Sequence, residues 1–179
     1  MRIADADIVF VPGADCGPDH WMERWRQRMP TAHMAGQPRR SSGCGARNLV
    51  QLVARSSRPV ILIAHGEGVM DAVHHAPLLQ PGVRGAFLVA PRDRETPAQE
   101  GAGKPDGTAP FTPLPFRSLL VASRTDPALA FARAERFAAA WGSLLVDAGE
   151  AGRLDAASGH GPWPEGLLLL SRLLRNLPA

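Results

Sequence analysis

The chain has 179 residues, of which 45% are apolar and 21% are charged. This composition is typical of a soluble globular protein, and the length is sufficient for one domain with a full core. The formal net charge is +3. The basic residues are scattered and no recognised nucleic-acid-binding module accompanies them, so we expect no nucleic-acid partner.

The cysteine spacing and the apolar runs exclude several further classes of protein. Cys16 and Cys44 lie 28 positions apart without a nearby Cys or His cluster, which argues against a disulfide framework and against a zinc site. The N-terminus carries two aspartates and leads directly into an apolar run, unlike a signal peptide. The longest apolar runs, such as 167–170, are too short to cross a membrane. We therefore expect a cytoplasmic protein without a cofactor, a metal ion or a membrane partner.

Apolar runs and helical patterns alternate along the chain. The runs are rich in β-branched residues and lack polar alternation, which indicates strands buried on both faces. The helical patterns between them imply right-handed crossovers and a parallel sheet. We predict a three-layer α/β fold over residues 1–179, with a mostly parallel sheet of about six strands, helices on both faces and 60–64 in the interior. The predicted strands are 8–11, 60–64, 86–90, 119–122 and 144–146, and the predicted helices are 20–29, 46–55, 69–76, 128–141 and 165–177.

Two segments interrupt this alternation. Residues 37–45 are rich in Gly and Ser and predict a loop. Residues 92–115 are rich in Pro and Gly and have no periodicity, which predicts a long loop that is either a lid-like excursion or disordered. In open parallel sheets, functional sites form at the carboxyl ends of the strands. The segments that follow the predicted strands are therefore the candidates for a site.

The stretch VILIAHGEGV at 60–69 predicts a buried strand, a tight turn and a helix. In many hydrolases such a turn carries the nucleophile in the pattern G-x-S-x-G. The central position here is Gly66. The turn holds its central residue in a strained backbone conformation, which glycine adopts more readily than serine.

The segments after the strands resemble, in order and over nearly the whole chain, the small serine hydrolases of the retinoblastoma-binding-protein-9 and YdeN type. This family is a compact branch of the α/β-hydrolase fold. The matching segments are VPGADCGPDHW at 11–21, AHGEG at 64–68, GAFLVAP at 85–91, LPFRSLLVASRTDP at 114–127, AWGSLLVDAGEAG at 140–152 and SGHGPWPEG at 158–166.

The resemblance implies a catalytic triad of serine, histidine and aspartate. By position, the serine falls on Gly66, the histidine on Arg153 and the aspartate on Asp126. Glycine has no nucleophile, and arginine stays protonated and cannot act as a base. We therefore expect a degenerate triad in a catalytically inactive homologue, with a binding or regulatory role for a small-molecule or protein ligand.

The resemblance also indicates which residues line the former cleft. These are Gly13, Ala14, His65, Glu67, Arg39 and His160. Glu67 follows the nucleophile position, where a carboxylate would oppose the negative charge of an oxyanion. We expect Glu67 to pair with Arg153. His65 is expected to pack and hydrogen bond behind the turn.

An active hydrolase or esterase with relocated chemistry is the alternative hypothesis. Its candidate nucleophiles are Cys16 and Ser158, and its candidate bases are His160 and Glu67. Each has a plainer interpretation, because Cys16 fits a loop thiol, Ser158 a structural hydroxyl and His160 a loop histidine.

Two further side chains are interpreted as structural. Asp19, His20 and Trp21 are expected to cap and anchor the first helix, which leaves no metal role for His20. Asp126 is expected to cap the helix that the chain enters through Pro127.

Overall fold

The computed structural model of the chain describes residues 1–14, 16–36, 44–92 and 110–177, with the backbone alone at 44–47. The strands are β1 (Asp7–Val11), β2 (Ala32–Met34), β3 (Val60–His65), β4 (Val83–Val89), β5 (Arg117–Ala122) and β6 (Leu144–Asp147). The α-helices are α1 (Trp21–Arg28), α2 (Cys44–Arg55), α3 (Glu67–His75), α4 (Phe131–Trp141) and α5 (Pro164–Arg175). Within these described ranges, no helix is both long and apolar enough to cross a membrane.

All six strands form one parallel sheet in the order β2-β1-β3-β4-β5-β6. The predicted fold class and the interior position of β3 are therefore confirmed. All six residues of β3 are buried, as expected for a strand covered on both faces.

The alternating side chains of the sheet divide the core into two layers. Val60, Leu62 and Ala64 of β3 pack with α2, α3 and α4 on one face. Ile61 and Ile63 pack with α1 and α5 on the other face. The period of two along a strand thus accounts for helices on both faces of the sheet.

The differences from the predicted elements are concentrated at element ends. β2 was not predicted, because it is a three-residue edge strand with the exposed His33 at its centre. The helix α2 begins at Cys44, inside the predicted loop 37–45, and α4 begins at Phe131 rather than at residue 128. Residues 37–43 of the first predicted loop and residues 93–109 of the second lie outside the described residues.

An aromatic cluster joins α1 to the chain that precedes α5. Trp25 and Trp163 stack with ring centroids 5.8 Å apart, and Trp21 lies edge-on to Trp163 at 4.9 Å. The indole of Trp21 donates a hydrogen bond to the carbonyl of Leu154 at 2.8 Å. This buried donor is thereby satisfied, and the segment after β6 is held against α1.

The first turn of α3 lies directly against the end of β1. A Cβ atom at Gly68 would collide with the carbonyl group of Val11. Glycine is therefore required at this position for close approach of two backbones. The contact brings the loop after β1 next to the residues that follow β3.

We predict that Gly68→Ala strongly destabilises the fold, by more than about 3 kcal/mol, because the obstacle is backbone that cannot move aside. The matched control is Gly17→Ala, since a Cβ atom at Gly17 meets nothing within 4 Å. Urea unfolding followed by circular dichroism measures both variants. Equal stability of the two variants would contradict the close approach.

Candidate active site

The residues named from the sequence meet at the carboxyl edge of the sheet. Gly13 and Ala14 follow β1, Gly66 follows β3, Asp126 follows β5 and Arg153 follows β6. Because all the strands are parallel, their carboxyl ends lie along the same edge. The fold thus places these residues at the edge where parallel sheets form their sites.

Gly66 forms the tight turn between β3 and α3. Its backbone has φ 59° and ψ −125°, a conformation that disfavours residues with a side chain. The amide of Gly66 donates to the carbonyl of Val89 at 3.1 Å, and its carbonyl accepts from the amide of Arg92 at 3.2 Å. A Cβ atom built on Gly66 would lie 3.8 Å from Cα of Gly13 and 3.9 Å from Nη2 of Arg153. The turn therefore has the strained geometry predicted for a nucleophile position, together with space for a side chain.

The carboxylate of Glu67 lies in front of this turn. Its Oε2 accepts a hydrogen bond from the amide of Ala14 at 3.2 Å, and its Oε1 lies 2.5 Å from Nη1 of Arg92. Burial opposes the charged carboxylate, but bonds from the amides of Glu67 and Ala14 and from Arg92 outweigh it and lower the pKa of Glu67. The prediction that Glu67 pairs with Arg153 is therefore wrong, because Glu67 pairs with Arg92. Arg92 reaches it from directly after β4.

Gly13 completes the cradle around the Glu67 carboxylate. A Cβ atom at Gly13 would lie 2.6 Å from Oε2 of Glu67 and 3.0 Å from the carbonyl oxygen of His65. Gly13, Ala14, His65 and Glu67, four of the residues predicted to line one cleft, are therefore neighbours in the structure. Arg39, which was predicted to line the same cleft, lies outside the described residues.

Arg153 and Asp126 flank the turn from the loops after β6 and β5. The main chain of Arg153 is fixed, since its amide donates to Oγ of Ser158 at 3.0 Å and its carbonyl accepts from Nε2 of His65 at 2.9 Å. Burial raises the pKa of Asp126, and the nearby charge of Arg153 opposes that rise. The two predicted triad positions therefore carry a cation and an acid that influence each other.

Asp126 does not cap α4, contrary to the sequence prediction. Its Oδ1 accepts from the amide of Ala128 at 2.8 Å, whereas α4 begins only at Phe131. The side chain closes the turn that leads towards the helix, a common use of aspartate in loops.

Ser158 and His160 lie in the loop after β6. The hydroxyl of Ser158 donates a hydrogen bond to Oδ1 of Asp155 at 2.7 Å and accepts one from the amide of Arg153. The ring of His160 lies edge-on to Trp163 at 6.2 Å. The structural interpretation of Ser158 agrees with these bonds, since its hydroxyl is already used as donor and acceptor.

A buried cluster of sulfur and imidazole groups lies beneath the turn. Sγ of Cys16 is 3.9 Å from Nδ1 of His65 and 3.6 Å from Sδ of Met22. The rings of His20 and His65 are 4.6 Å apart. His20 caps α1 as predicted, because its Nδ1 accepts from the amide of Met22 at 3.2 Å.

Sequence reasoning did not predict this cluster as a unit. It considered the spacing of the two cysteines, whereas the fold brings His65 from the end of β3 and His20 from four residues further along the chain to Cys16. The sequence signal that was available is positional: Cys16 follows β1 and His65 ends β3, and neighbouring parallel strands bring such positions together.

Comparison with known proteins identifies the class to which this fold and site belong. The family model described as serine hydrolase matches residues 8–172. The chain therefore belongs to the serine hydrolase family. No curated protein sequence matches the chain.

Solved structures of similar proteins support the same assignment. A protein assigned as a YdeN-like hydrolase from Pectobacterium atrosepticum is 32% identical, with a TM-score of 0.86 over 98% of this chain and 95% of that one. The ydeN gene product of B. subtilis is 13% identical, with a TM-score of 0.73 over 96% of this chain and all of that one. Esterase 2 of Thermogutta terrifontis is 15% identical, with a TM-score of 0.69 over 100% and 88% of the two chains. The last two similarities show the shared fold.

We predict that His20 and His65 make the protein less stable as the pH falls from 6.5 towards 5. Burial lowers the pKa of His20 to about 3 and also lowers the pKa of His65, so both are neutral in the folded state. In the unfolded chain they take up protons near their ordinary pKa of 6.5. The unfolded state then binds more protons, and stability is lost by up to about 1.4 kcal/mol per pH unit for each imidazole.

Urea unfolding between pH 5 and pH 7 measures this slope, in a range above the titration of the carboxylates. The slope of stability against pH is proportional to the number of protons that the chain takes up on unfolding. In the variant His20→Gln this number should be smaller by about one. The control variant His33→Gln makes the same exchange at an exposed position of β2. An unchanged slope in His20→Gln would contradict the neutral, buried imidazole.

Proposed function

We propose that this member of the serine hydrolase family does not hydrolyse esters through a Ser-His-Asp triad. We place it in the branch that includes retinoblastoma-binding-protein-9 and YdeN, with a former catalytic cleft that binds a small-molecule or protein ligand. The observation that carries the proposal is the turn at Gly66, where glycine takes the nucleophile position and the Glu67 carboxylate lies in front of it.

The chemistry of the three triad positions supports this proposal. Gly66 offers no atom that could attack a carbonyl carbon. Arg153 keeps its proton at any ordinary pH and cannot accept one from a nucleophile. Removal of either the nucleophile or the base of such a unit lowers turnover by on the order of 10⁶. Asp126 alone supplies neither function.

The position of the Glu67 carboxylate supports the proposal independently. In α/β-hydrolases the oxyanion is bound by the amide of the residue after the nucleophile and by an amide of an adjacent strand–helix loop. The corresponding donors here are the amides of Glu67 and Ala14. The Glu67 carboxylate accepts a hydrogen bond from the amide of Ala14, and the amide of Glu67 contributes to the lowered pKa of this carboxylate. A negative group already on these donors would repel a developing oxyanion.

We predict that the purified protein neither reacts with a fluorophosphonate probe nor hydrolyses short p-nitrophenyl esters faster than an inert protein control. The physical reason is the absence of both a nucleophile and a base at Gly66 and Arg153. Labelling or turnover that persists in Cys16→Ala and in Ser158→Ala would contradict the proposal.

Relocated chemistry at Cys16 is the second candidate function. The observation that favours it is the 3.9 Å separation of its Sγ from Nδ1 of His65, so the candidate base is His65 rather than His160 or Glu67. Burial lowers the pKa of His65, which makes it a weak base for a buried thiol. Ester turnover that disappears in Cys16→Ala but not in Cys44→Ala would favour this second candidate.

We predict that Gly66→Ser together with Arg153→His restores weak fluorophosphonate labelling, and that neither change alone does. The serine needs a base, and the base needs a nucleophile to activate. The space around the Cβ position of Gly66 accommodates the new side chain.

Addition of Glu67→Leu to the double variant should raise labelling and ester turnover further, because it removes the carboxylate from the two amide donors. Loss of one such donor alone lowers the rate by about 10²–10³, so we expect a gain of at least tenfold. The matched control adds Glu135→Leu, an exposed acid on α4, and should give no gain. A folded triple variant that neither labels nor turns over would contradict the preserved scaffold.

A further inference from the structure

The cluster beneath the turn contains four donor groups that favour a soft metal ion. Cys16 supplies a thiol from the loop after β1, and His65 an imidazole at the end of β3. Met22 supplies a thioether in the first turn of α1, and His20, the cap of that helix, supplies a second imidazole. The exposed fraction of each side chain is 9% or less. Soft thiolate and thioether ligands favour Cu(I), zinc and iron–sulfur clusters over hard cations.

The distances within the cluster match those between ligands of one ion. A metal ion about 2.3 Å from sulfur and about 2.0 Å from nitrogen holds its ligand atoms about 3.5–4 Å apart. The measured separations are 3.6 Å between the two sulfur atoms and 3.9 Å between Sγ of Cys16 and Nδ1 of His65. The ligand atoms of Cys16, His20 and His65 all lie within 4.8 Å of one another. Small side-chain adjustments would therefore bring the donors around one ion.

His65 is already oriented as a metal ligand. Its Nε2 lies 2.9 Å from the carbonyl oxygen of Arg153 and must donate its proton to that acceptor. The neutral ring then carries its lone pair on Nδ1, which lies beside the sulfur of Cys16. In metal-binding histidines, the N–H group of the second ring nitrogen commonly donates a hydrogen bond to a carbonyl in this way.

His20 contains a buried polar atom that the hydrogen bonds of the described residues do not explain. Its Nδ1 accepts from the amide of Met22, so its neutral ring carries the proton on Nε2. That Nε2 is buried and has no hydrogen-bond partner among the described residues. Such a group is rare in a folded protein and calls for a specific explanation.

We propose that Cys16, His65 and Met22, with His20 as a fourth ligand, form a buried site for a monovalent soft metal ion, Cu(I). Three ligands suffice for this ion. To become the fourth, His20 must shift its proton from Nε2 to Nδ1, so that Nε2 can bind the ion and the amide of Met22 loses its acceptor. Binding converts the thiol of Cys16 to a thiolate and releases one proton to solvent.

The local charge favours a monovalent ion over a divalent one. Arg153, Asp155 and Glu67 act electrostatically on His65, and Glu67 is paired with Arg92. The four charges sum to zero, and a Cu(I) thiolate adds none. A Zn²⁺ thiolate would leave one uncompensated positive charge in the interior, which is unfavourable.

A cavity borders the two sulfur-containing residues of the proposed site. Its volume is about 510 Å³, and Cys16, Met22 and Met34 contribute to its lining.

Titration of the reduced protein with Cu(I), in competition with the chromogenic chelator bicinchoninate and without oxygen, tests the proposal. We expect one Cu(I) per chain. Because loss of a group that only supports a ligand typically costs about 10–100-fold in affinity, loss of a direct ligand in Cys16→Ser should weaken binding by at least about 100-fold and in Met22→Leu by at least about 10-fold. The matched control Cys44→Ser should bind like the original protein. Circular dichroism checks each fold, and Met22→Leu is a volume-conserving change that the core tolerates.

The outcomes that overturn the proposal are distinct. Failure of the reduced protein to take Cu(I) from the chelator would contradict the proposed Cu(I) site. Binding that is lost in Cys44→Ser but retained in Cys16→Ser would place the ion elsewhere. Tighter binding of Zn²⁺ than of Cu(I) would overturn the charge argument. X-ray absorption of the loaded protein should show both sulfur and nitrogen ligands, and a spectrum with oxygen ligands alone would contradict the assignment.

Discussion

The close approach of α3 to β1 is the constraint on which the rest of the site depends. Gly68 has no side chain, so the first turn of α3 rests directly on the carbonyl group of Val11. The amide of Ala14, three residues beyond that carbonyl, then lies beside the carboxylate of Glu67. Any side chain at residue 68 would separate the two loops, and the paired amide donors would no longer converge. The geometry at the turn is thus inherited from a backbone contact rather than from polar side chains.

The architecture could be predicted because burial on both faces leaves a clear pattern. Runs such as 60–64 contain no polar residue, and five such runs in a chain that also carries helical patterns are typical of parallel strands covered on both faces. The edge strand β2 has no such pattern, since its three residues are only partly covered. Its extended form follows from pairing with β1, and that tertiary interaction has no local signal.

The candidate site was predictable in its positions and only partly in its contacts. Resemblance over the whole chain placed Gly66, Asp126 and Arg153 at the ends of their strands. It did not reveal that Arg92, rather than Arg153, pairs with Glu67. The position of Arg92 depends on the register of β3 against β4 and on the hydrogen bond that the amide of Arg92 donates to the carbonyl of Gly66. The grouping of Cys16, His20, Met22 and His65 likewise depends on how α1 packs across the end of the sheet.

The distribution of the tryptophans has a spectroscopic consequence. The chain has four tryptophans and no tyrosine, so its near-ultraviolet absorption and intrinsic fluorescence are dominated by indole. Trp21, Trp25 and Trp163 belong to the layer that contains His20, His65 and Cys16, whereas Trp141 lies in the opposite layer, stacked on Phe137. The ring of Trp21 is 5.2 Å from that of His20 and 6.0 Å from that of His65. The protein therefore carries its own optical reporter on the face beneath the turn, with a single indole on the other face as an internal reference.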